Sequence, residues 1–233
     1  MHPALNNYGH FTAMQVRRQR VRGLDRHLHR LVTATRELFD TALDPEMVRH
    51  YIRHALADTP DATVRVNIFQ PAAEPAVLVV VRPPVEPPPA PVRLRSVRYQ
   101  RPVAHIKHAG SFAQIYHGLR AEAAGFDDAL LVGPDGAVSE TTTGNLAIFG
   151  RDALIWPDAP CLAGITMQLL AAAIPTRRAA VRLADAPTFA AALVTNSIGI
   201  VAVAAIDDVT IPVDPARMRT VRDAYDAIGW DLI

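Results

Sequence analysis

The 233-residue sequence contains a single cysteine, Cys161. One cysteine cannot form an intrachain disulfide, and no segment resembles the paired-thiol spacing of a zinc site, so a reducing compartment is expected. The sequence also lacks an uncharged apolar run of about 18 residues, the length that a membrane-spanning helix needs. Its first seven residues contain no apolar stretch of the signal-peptide type. We therefore expect a cytoplasmic protein with no membrane partner.

An excess of charge of either sign is also absent. The 24 lysine and arginine residues balance 23 aspartate and glutamate residues, which leaves a formal net charge of +1. Without a basic excess, binding to nucleic acid is not expected. Half of the residues are apolar and 20% are charged, the balance of a globular protein with a buried core.

Lysine is almost missing, because Lys107 is the only lysine among the 24 lysine and arginine residues. A position that needs only positive charge is served equally well by arginine. A primary amine differs from a guanidinium because it can lose its proton and attack a carbonyl group to form a Schiff base. Lys107 is therefore either a remnant of compositional bias or a chemically required amine.

The first part of the chain is predicted to form a small α+β domain, placed at residues 1–82. Apolar residues at helical spacing predict helices over residues 25–40 and 45–57. Alternating patterns predict a hairpin of short strands over 9–21 and two strands over 63–69 and 77–81.

Six prolines between residues 83 and 91 predict an extended linker, because proline neither joins a sheet interior nor continues a helix. Residues 92–233 are predicted to form a larger α/β domain. Its predicted helices cover residues 111–124, 165–173 and 215–228, and its predicted strands cover residues 92–99, 129–132, 146–149, 153–156, 179–183, 193–195 and 200–206.

Three segments of the second part bear reactive groups. Lys107 lies just before a predicted helix, and Glu140 follows a glycine-containing turn. Ile165 and Thr166 follow a glycine and open an apolar helix, whose first amides lack intrahelical partners and so favour an anion such as phosphate. Together the segments supply an amine, a carboxylate and a helix start that can bind phosphate.

With these motifs the sequence resembles the fold-type IV pyridoxal-phosphate enzymes, which comprise branched-chain aminotransferases, D-amino-acid aminotransferases and aminodeoxychorismate lyases. The resemblance extends from about Gly9 to Val203. It implies a two-domain α/β fold, pyridoxal 5'-phosphate as the cofactor, residues 92–233 as the cofactor-binding domain, and a homodimer.

The resemblance assigns the cofactor's ring to three positions of this chain. Lys107 matches the lysine that forms the Schiff base with the cofactor. Glu140 opens the family's Glu-x-x-x-x-Asn-Leu motif, in which the glutamate bonds the pyridine nitrogen, and Asn145 completes the motif.

The resemblance also assigns the cofactor's phosphate to separated motifs. Ile165 and Thr166 match the Gly-Ile-Thr segment that binds it. Arg30 matches the arginine of a His-x-x-Arg-Leu helix motif, and Ser197 belongs to a Thr-Asn-Ser segment that resembles the last phosphate-binding loop.

Departures from the family pattern predict a modified phosphate site. Ala147 replaces an aromatic residue after Asn-Leu, Trp156 stands where the family has threonine, and Met167 replaces a basic residue after Gly-Ile-Thr. The segment before Tyr8 is shorter than in the relatives, so one strand of the small domain is expected to be missing.

The resemblance leaves the reaction open between transfer and cleavage. The lyases have a Phe-Thr-Thr triplet whose second threonine acts at the catalytic carbon, and here the triplet reads Phe11, Thr12 and Ala13. The missing hydroxyl favours amino-group transfer between an amino acid and a 2-oxo acid over an aminodeoxychorismate lyase reaction. A dimeric relative that has lost catalysis is the alternative from another functional class.

Three residues are candidates for substrate contact. Arg65 aligns with a substrate-facing arginine of the branched-chain enzymes and is either a carboxylate clamp or an exposed strand arginine. Phe11 and Thr143 lie within the matched motifs and are the other two candidates.

No metal site is predicted. His50 and His54 have the i, i+4 spacing of zinc ligands but lack a third ligand, so they are interpreted as helix surface. His27 and His29 are interpreted as flanking Arg30 without a chemical role, and Cys161 as a packing residue.

Overall fold

A computed structural model describes residues 6–233 of the chain. Residues 1–5 lie outside this range. They include most of the first seven residues, for which the sequence predicts no signal-peptide stretch. Among the described residues, no helix combines the length and apolarity required to cross a bilayer. The chain divides into two compact units, the first formed by the chain up to Val85 with residues 106–111 and 229–233, and the second by residues 86–105 and 112–228.

The first unit is built on a three-stranded antiparallel sheet. Its strands are β1 (Gly9–Val16), β3 (Ala62–Phe69) and β4 (Ala76–Arg82), in that order across the sheet. Two helices, α1 (Leu24–Phe39) and α2 (Pro45–Leu56), cover one face. Alternate residues of β1 and β3 are buried against these helices, so the other face of the sheet carries the intervening side chains.

The core of this unit consists of aliphatic side chains from the sheet and both helices. Its buried members include Met14, Val64, Val66, Ile68, Leu28, Leu31, Val48 and Ile52. Burial of each such side chain contributes roughly 1.5–3 kcal/mol. Helix α2 begins where the sequence indicates, because Asp44 accepts a hydrogen bond from the Glu46 amide and Pro45 occupies the first helical position.

The predicted hairpin over residues 9–21 is found only at its turn. Arg17 and Arg20 exchange two backbone hydrogen bonds around Arg18 and Gln19, which both have positive φ, as in a two-residue hairpin turn. The short strand β2 (Arg20–Val21) then pairs with β14 (Asp231–Leu232) at the end of the chain. This long-range pairing brings residues 229–233 into the first unit.

Residues 106–111 also belong to the first unit, although the sequence-based boundaries place them in the second. The Phe11 amide donates to the Lys107 carbonyl at 2.9 Å, and the Ala109 amide donates to the Gly9 carbonyl at 2.7 Å. The segment therefore lies along β1 on the side opposite β3.

The second unit is built on a mixed nine-stranded sheet. Its strands, in the order β10-β9-β8-β11-β12-β5-β6-β7 with β13 paired to β12, are β5 (Val92–Arg98), β6 (Asp128–Val132), β7 (Val138–Thr141), β8 (Asn145–Phe149), β9 (Leu154–Pro157), β10 (Thr176–Ala179), β11 (Ala192–Thr195), β12 (Ile200–Ile206) and β13 (Val209–Thr210). Its helices are α3 (Phe112–Glu122), α4 (Ile165–Ala173) and α5 (Pro215–Asp226). The two units confirm the predicted α/β class.

The strand predicted over residues 179–183 is wrong. The structure has β10 (Thr176–Ala179) followed by a 3-10 helix, Leu183–Thr188. The Arg182 amide donates to the Asp185 carboxylate, which starts the 3-10 helix, and Val181 uses its carbonyl to accept from the Val138 amide. The hydrogen bond to the Asp185 side chain therefore favours a 3-10 helix where the alternating pattern predicts a strand.

Candidate active site

Lys107 lies beside β1 of the first unit. Its main-chain position is fixed by the hydrogen bond from the Phe11 amide, and its ammonium nitrogen lies 4.9 Å from the centre of the Phe11 ring. The side chain is half-buried. The only lysine of the chain is thus held by backbone contacts next to an aromatic face.

Arg65 approaches the same aromatic ring. Its guanidinium carbon lies 3.5 Å from the centre of the Phe11 ring, and its Nε donates to Asn67 Oδ1 at 2.9 Å. Burial, reinforced by the positive charge of Arg82, lowers the pKa of Arg65. Among the described residues, its terminal nitrogens have no hydrogen-bond acceptor.

The open face of the sheet that carries Arg65 contains no acidic residue. Strand register places Ala13 and Val80 directly opposite Arg65. The other side chains that share the face are Phe11, Gln15, Thr63, Asn67, Phe69, Ala76, Leu78 and Arg82. This face therefore suits a ligand that brings its own negative charge.

Arg30 is a half-buried cation on α1. One of its terminal nitrogens donates to Thr12 Oγ1 and lies 3.4 Å from His27 Nδ1, while its Nε is buried without a partner in the described residues. Burial lowers the pKa of Arg30 to about 10, which leaves it charged at neutral pH. Within residues 6–233 no carboxylate neutralises it, so it is suited to bind an anion.

Glu140 lies on β7 of the second unit, buried in an ion pair. Its Oε1 is 3.1 Å from Arg101 Nη1, and the two side chains are 6% and 5% exposed. Its Oε2 accepts from the Leu162 amide at 3.2 Å. Arg101 also donates to the Ala104 carbonyl at 3.0 Å, which fixes the guanidinium beside the carboxylate. Both donors stabilise the ionised form of Glu140.

Asn145 connects the start of β8 to the segment before α4. Its amide nitrogen donates to the Leu162 carbonyl at 2.7 Å. A Cβ at Gly164 would collide with Asn145 Oδ1, so a larger residue at this position would displace the Asn145 side chain. Asn145 and Glu140 hold the same loop from two sides, since they bond the carbonyl and the amide of Leu162.

Helix α4 begins without a side-chain cap. Gly164 precedes Ile165 in extended conformation, and in the described chain the amides of Ile165, Thr166 and Met167 have no acceptor. Three free amides at the positive end of a helix dipole form an anion-binding arrangement.

Thr166 is tied to the loop that contains Ser197. Its hydroxyl donates to the Asn196 carbonyl at 2.6 Å. Asn196 Oδ1 accepts from the amides of Ile198 and Gly199, which holds the loop in a tight turn around Ser197. The α4 start and this loop are thus one connected structure in the second unit.

Thr143 differs from the other candidates because it is exposed. Its hydroxyl donates to Asp128 Oδ2 at 3.4 Å, and the neighbouring Thr142 hydroxyl bonds Oδ1 of the same carboxylate. These contacts fix the turn between β7 and β8.

The three departures from the family pattern lie together in one apolar cluster. Ala147, Trp156 and Met167 are all buried in the cluster that packs α4 and α5 on the sheet. The three departures therefore share one packing environment in the core of the second unit.

The candidate residues fall into two groups. Lys107, Phe11, Arg30 and Arg65 are in the first unit, and Glu140, Asn145, Ile165, Thr166, Thr143 and Ser197 are in the second. Sequence reasoning missed Arg101, Thr12 and His27. Arg101 lies in an irregular segment where no periodicity indicates burial, whereas the position of His27 three residues before Arg30 was a usable signal.

Sequence and structure comparisons identify similar proteins. The family profile described as "Amino-transferase class IV" matches residues 9–206. No curated protein matches the chain by sequence.

Solved structures share the fold at low sequence identity. A hypothetical aminotransferase from Mycobacterium tuberculosis in its PLP-bound form is 21% identical, with a TM-score of 0.86 over 97% of this chain and 90% of that chain. A putative 4-amino-4-deoxychorismate lyase from Legionella pneumophila is 19% identical, with a TM-score of 0.88 over 97% and 93%. A branched-chain aminotransferase from Thermoproteus uzoniensis with norvaline is 19% identical, with a TM-score of 0.86 over 96% and 86%. The predicted fold-type IV architecture is confirmed.

Proposed function

This chain belongs to the class IV aminotransferase family, whose members use pyridoxal phosphate, and from that premise we propose that it transfers an amino group between an amino acid and a 2-oxo acid, with Lys107 as the residue that binds the cofactor covalently. The observation that carries the proposal is the single lysine of the chain, half-buried and fixed beside Phe11. The same unit contains Arg30, a cation that no carboxylate of the described residues neutralises.

The donor groups present fit the phosphate of this cofactor. The buried Nε of Arg30 has no acceptor in the described chain, and the first three amides of α4 have none either. A phosphate offers oxygens to a guanidinium and to helix amides alike. We assign Arg30, Ile165, Thr166 and the Ser197 loop to the phosphate.

The acidic group present fits the pyridine nitrogen. Glu140 Oε1 accepts from Arg101 and Oε2 accepts from the Leu162 amide, and a carboxylate oxygen can accept more than one hydrogen bond. Glu140 would therefore hold a proton on the ring nitrogen while Arg101 and the Leu162 amide keep it ionised. Asn145 would contribute by fixing the loop before α4 through its hydrogen bond to the Leu162 carbonyl.

The bound cofactor supplies an aldehyde that takes up the amino group and a ring that accepts electrons. Lys107 Nζ would act as the base that moves the proton from the substrate's α-carbon to the cofactor, and it would move a proton in the opposite direction in the second half-reaction. Phe11 places an apolar face beside this amine. Arg65 would hold the substrate carboxylate, because its terminal nitrogens lack an acceptor in the described chain.

An assay of both half-reactions tests the function. Purified protein loaded with pyridoxal phosphate is incubated with L- and D-amino donors and with 2-oxoglutarate or pyruvate, and the new amino acid is quantified. The proposal expects product that depends on the 2-oxo acid. Pyruvate released from aminodeoxychorismate without an added acceptor would instead identify a lyase, and protein that fails to bind the cofactor would identify a non-catalytic relative.

Arg65 gives a prediction about substrate binding. Arg65→Gln removes one charged hydrogen-bond donor set from the carboxylate, so KM for the amino donor is expected to rise about 10- to 100-fold. Arg82→Gln is the matched control on the same sheet face, where an exposed charge contributes about threefold or less. Equal KM values for both variants would contradict the clamp.

The homodimer remains a proposal, supported by an exposed apolar stripe on α3. Phe112, Ile115, Tyr116 and Leu119 share one side of this helix and are 51–78% exposed, while the polar Gln114 is buried. Monomeric proteins seldom expose such a row of large side chains. A second copy related by two-fold symmetry would cover the stripe with its own. The cytosolic location expected from the cysteine content also remains a prediction.

A charge placed in this stripe tests the dimer. Leu119→Glu is expected to shift the mass measured by light scattering from twice the chain mass of 25.3 kDa to the chain mass itself. Tyr51→Glu is the control, since Tyr51 is an exposed aromatic residue on α2. A dimer that persists in Leu119→Glu would exclude α3 as the interface.

A further inference from the structure

Two uncharged groups contact Arg30, and no carboxylate of residues 6–233 does so. Thr12 lies on the buried face of β1, and its hydroxyl accepts a hydrogen bond from Arg30. His27, one helical turn before Arg30, is 3% exposed, and its Nδ1 lies 2.6 Å from the same hydroxyl. All three residues belong to the first unit.

The hydrogen-bond directions in this cluster follow from the number of available protons. Because Arg30 donates to Thr12 Oγ1, the single hydroxyl hydrogen of Thr12 is free to be donated elsewhere, and His27 Nδ1 is the nearest acceptor. A terminal nitrogen of Arg30 also lies 3.4 Å from Nδ1, and it would repel an N–H group there. His27 is therefore the neutral tautomer with its proton on Nε2.

The surroundings keep His27 neutral. Burial, followed by the positive charges of Arg30 and Lys107, lowers the pKa of His27 well below its usual value. His10, whose Nε2 bonds Thr35 at 2.9 Å, is also buried nearby, and burial together with Arg30 lowers its pKa to about 4. The cluster thus holds the Arg30 side chain by hydrogen bonds without cancelling its charge.

We propose that Thr12 and His27 are positioning residues, which orient the Arg30 guanidinium toward the phosphate of the cofactor through the chain of hydrogen bonds from Arg30 to Thr12 to His27. The proposal rests on the proposed function, because it takes the phosphate as the ligand of Arg30. A carboxylate in the same place would also orient the guanidinium, but it would weaken the attraction for an anion. A hydroxyl backed by a neutral imidazole orients the cation and leaves its charge for the ligand.

Cofactor binding by a set of variants tests the positioning role. Dissociation constants are measured by absorbance for pyridoxal phosphate and for pyridoxal, which lacks the phosphate. Thr12→Val keeps the shape but removes the hydroxyl, and it is expected to weaken pyridoxal phosphate about tenfold or more while pyridoxal is unchanged. Thr12→Ser restores the hydroxyl and is expected to bind as the wild type does.

A double-variant cycle shows whether Thr12 acts through Arg30. Arg30→Gln alone should lose the preference for the phosphorylated ligand, and adding Thr12→Val to it is expected to cost less than about twofold more. His27→Asn, which keeps an acceptor near the Nδ1 position, should bind pyridoxal phosphate more tightly than His27→Leu. A Thr12→Val variant with unchanged selectivity, or an equal loss of both ligands, would overturn the proposal.

Nitrogen-15 NMR of the histidine rings provides a readout that does not depend on the cofactor. His27 is expected as the Nε2-protonated neutral tautomer in the wild type, and Thr12→Val is expected to change its ring signals. A His27 proton on Nδ1 would overturn the proposed hydrogen-bond chain even if the cofactor binds. A different result is wild-type protein that has the expected tautomer but binds pyridoxal phosphate no more tightly than pyridoxal. This result would overturn the proposed function, and it would also overturn the assignment of the phosphate as the ligand of Arg30.

Discussion

Replacement of Lys107 by arginine is expected to lower kcat/KM for amino-group transfer at least about a thousandfold. Arginine keeps the positive charge beside Phe11 but cannot lose its proton near neutral pH. The variant would therefore lack both the amine that binds the cofactor covalently and the base that moves the α-proton. The measurement is the rate of product formation under saturating cofactor.

A lysine placed elsewhere provides the control for this variant. Arg53→Lys introduces an exposed amine on α2 and is expected to keep wild-type activity. The combined variant Lys107→Arg with Arg53→Lys has the same number of lysines as the wild type and should be as inactive as Lys107→Arg alone. Activity above one tenth of the wild-type value in Lys107→Arg would rule out Lys107 as the catalytic amine.

Removal of Arg101 is expected to lower the free energy of unfolding by about 3–5 kcal/mol, because Arg101→Met leaves the buried carboxylate of Glu140 without its cation. Equilibrium unfolding in urea, followed by circular dichroism, measures the loss. An exposed ion pair is the comparison: Arg217→Met removes a pair with Asp214 and should cost about 1 kcal/mol or less.

A double substitution distinguishes an ion pair from two independent packing effects. Arg101→Met combined with Glu140→Leu removes both charges, so most of the stability lost in Arg101→Met is expected to return. Additive losses in the double variant would contradict a coupled pair. The double variant should also bind pyridoxal phosphate less tightly than the wild type, because Glu140 is proposed to hold the ring nitrogen.

The elements that depend on local patterns could be predicted from the sequence. The Asp44-Pro45 start of α2 and the alternating burial of β3 follow from capping and strand periodicity. Lys107 stood out by composition alone, since only one lysine is present. These features require no knowledge of distant contacts.

The features that the sequence did not reveal depend on long-range contacts. Arg101 lies 39 positions before Glu140 in an irregular segment, and the ion pair that the two residues form is not visible in any local pattern. Strand β2 pairs with residues more than 200 positions away. His27 was interpreted as flanking Arg30 without a role, because the hydroxyl of Thr12 that joins the two comes from a different element.

The departures at Ala147, Trp156 and Met167 illustrate the same limit. Compared one at a time with a family pattern, they predicted a modified phosphate site. In the structure they pack in a single apolar cluster of the second unit, and the modified phosphate site stays a prediction. The sequence alone does not show that the three positions share one core cluster.

The most direct test of the account is reduction of the protein with borohydride in the presence of pyridoxal phosphate, followed by mass spectrometry of the intact chain and its peptides. Because the chain has one lysine, the account predicts one cofactor adduct per chain, located on the peptide that contains Lys107 and absent from the variant that exchanges Lys107 for arginine and Arg53 for lysine. Wild-type protein without an adduct, or an adduct that persists in that variant, would contradict it.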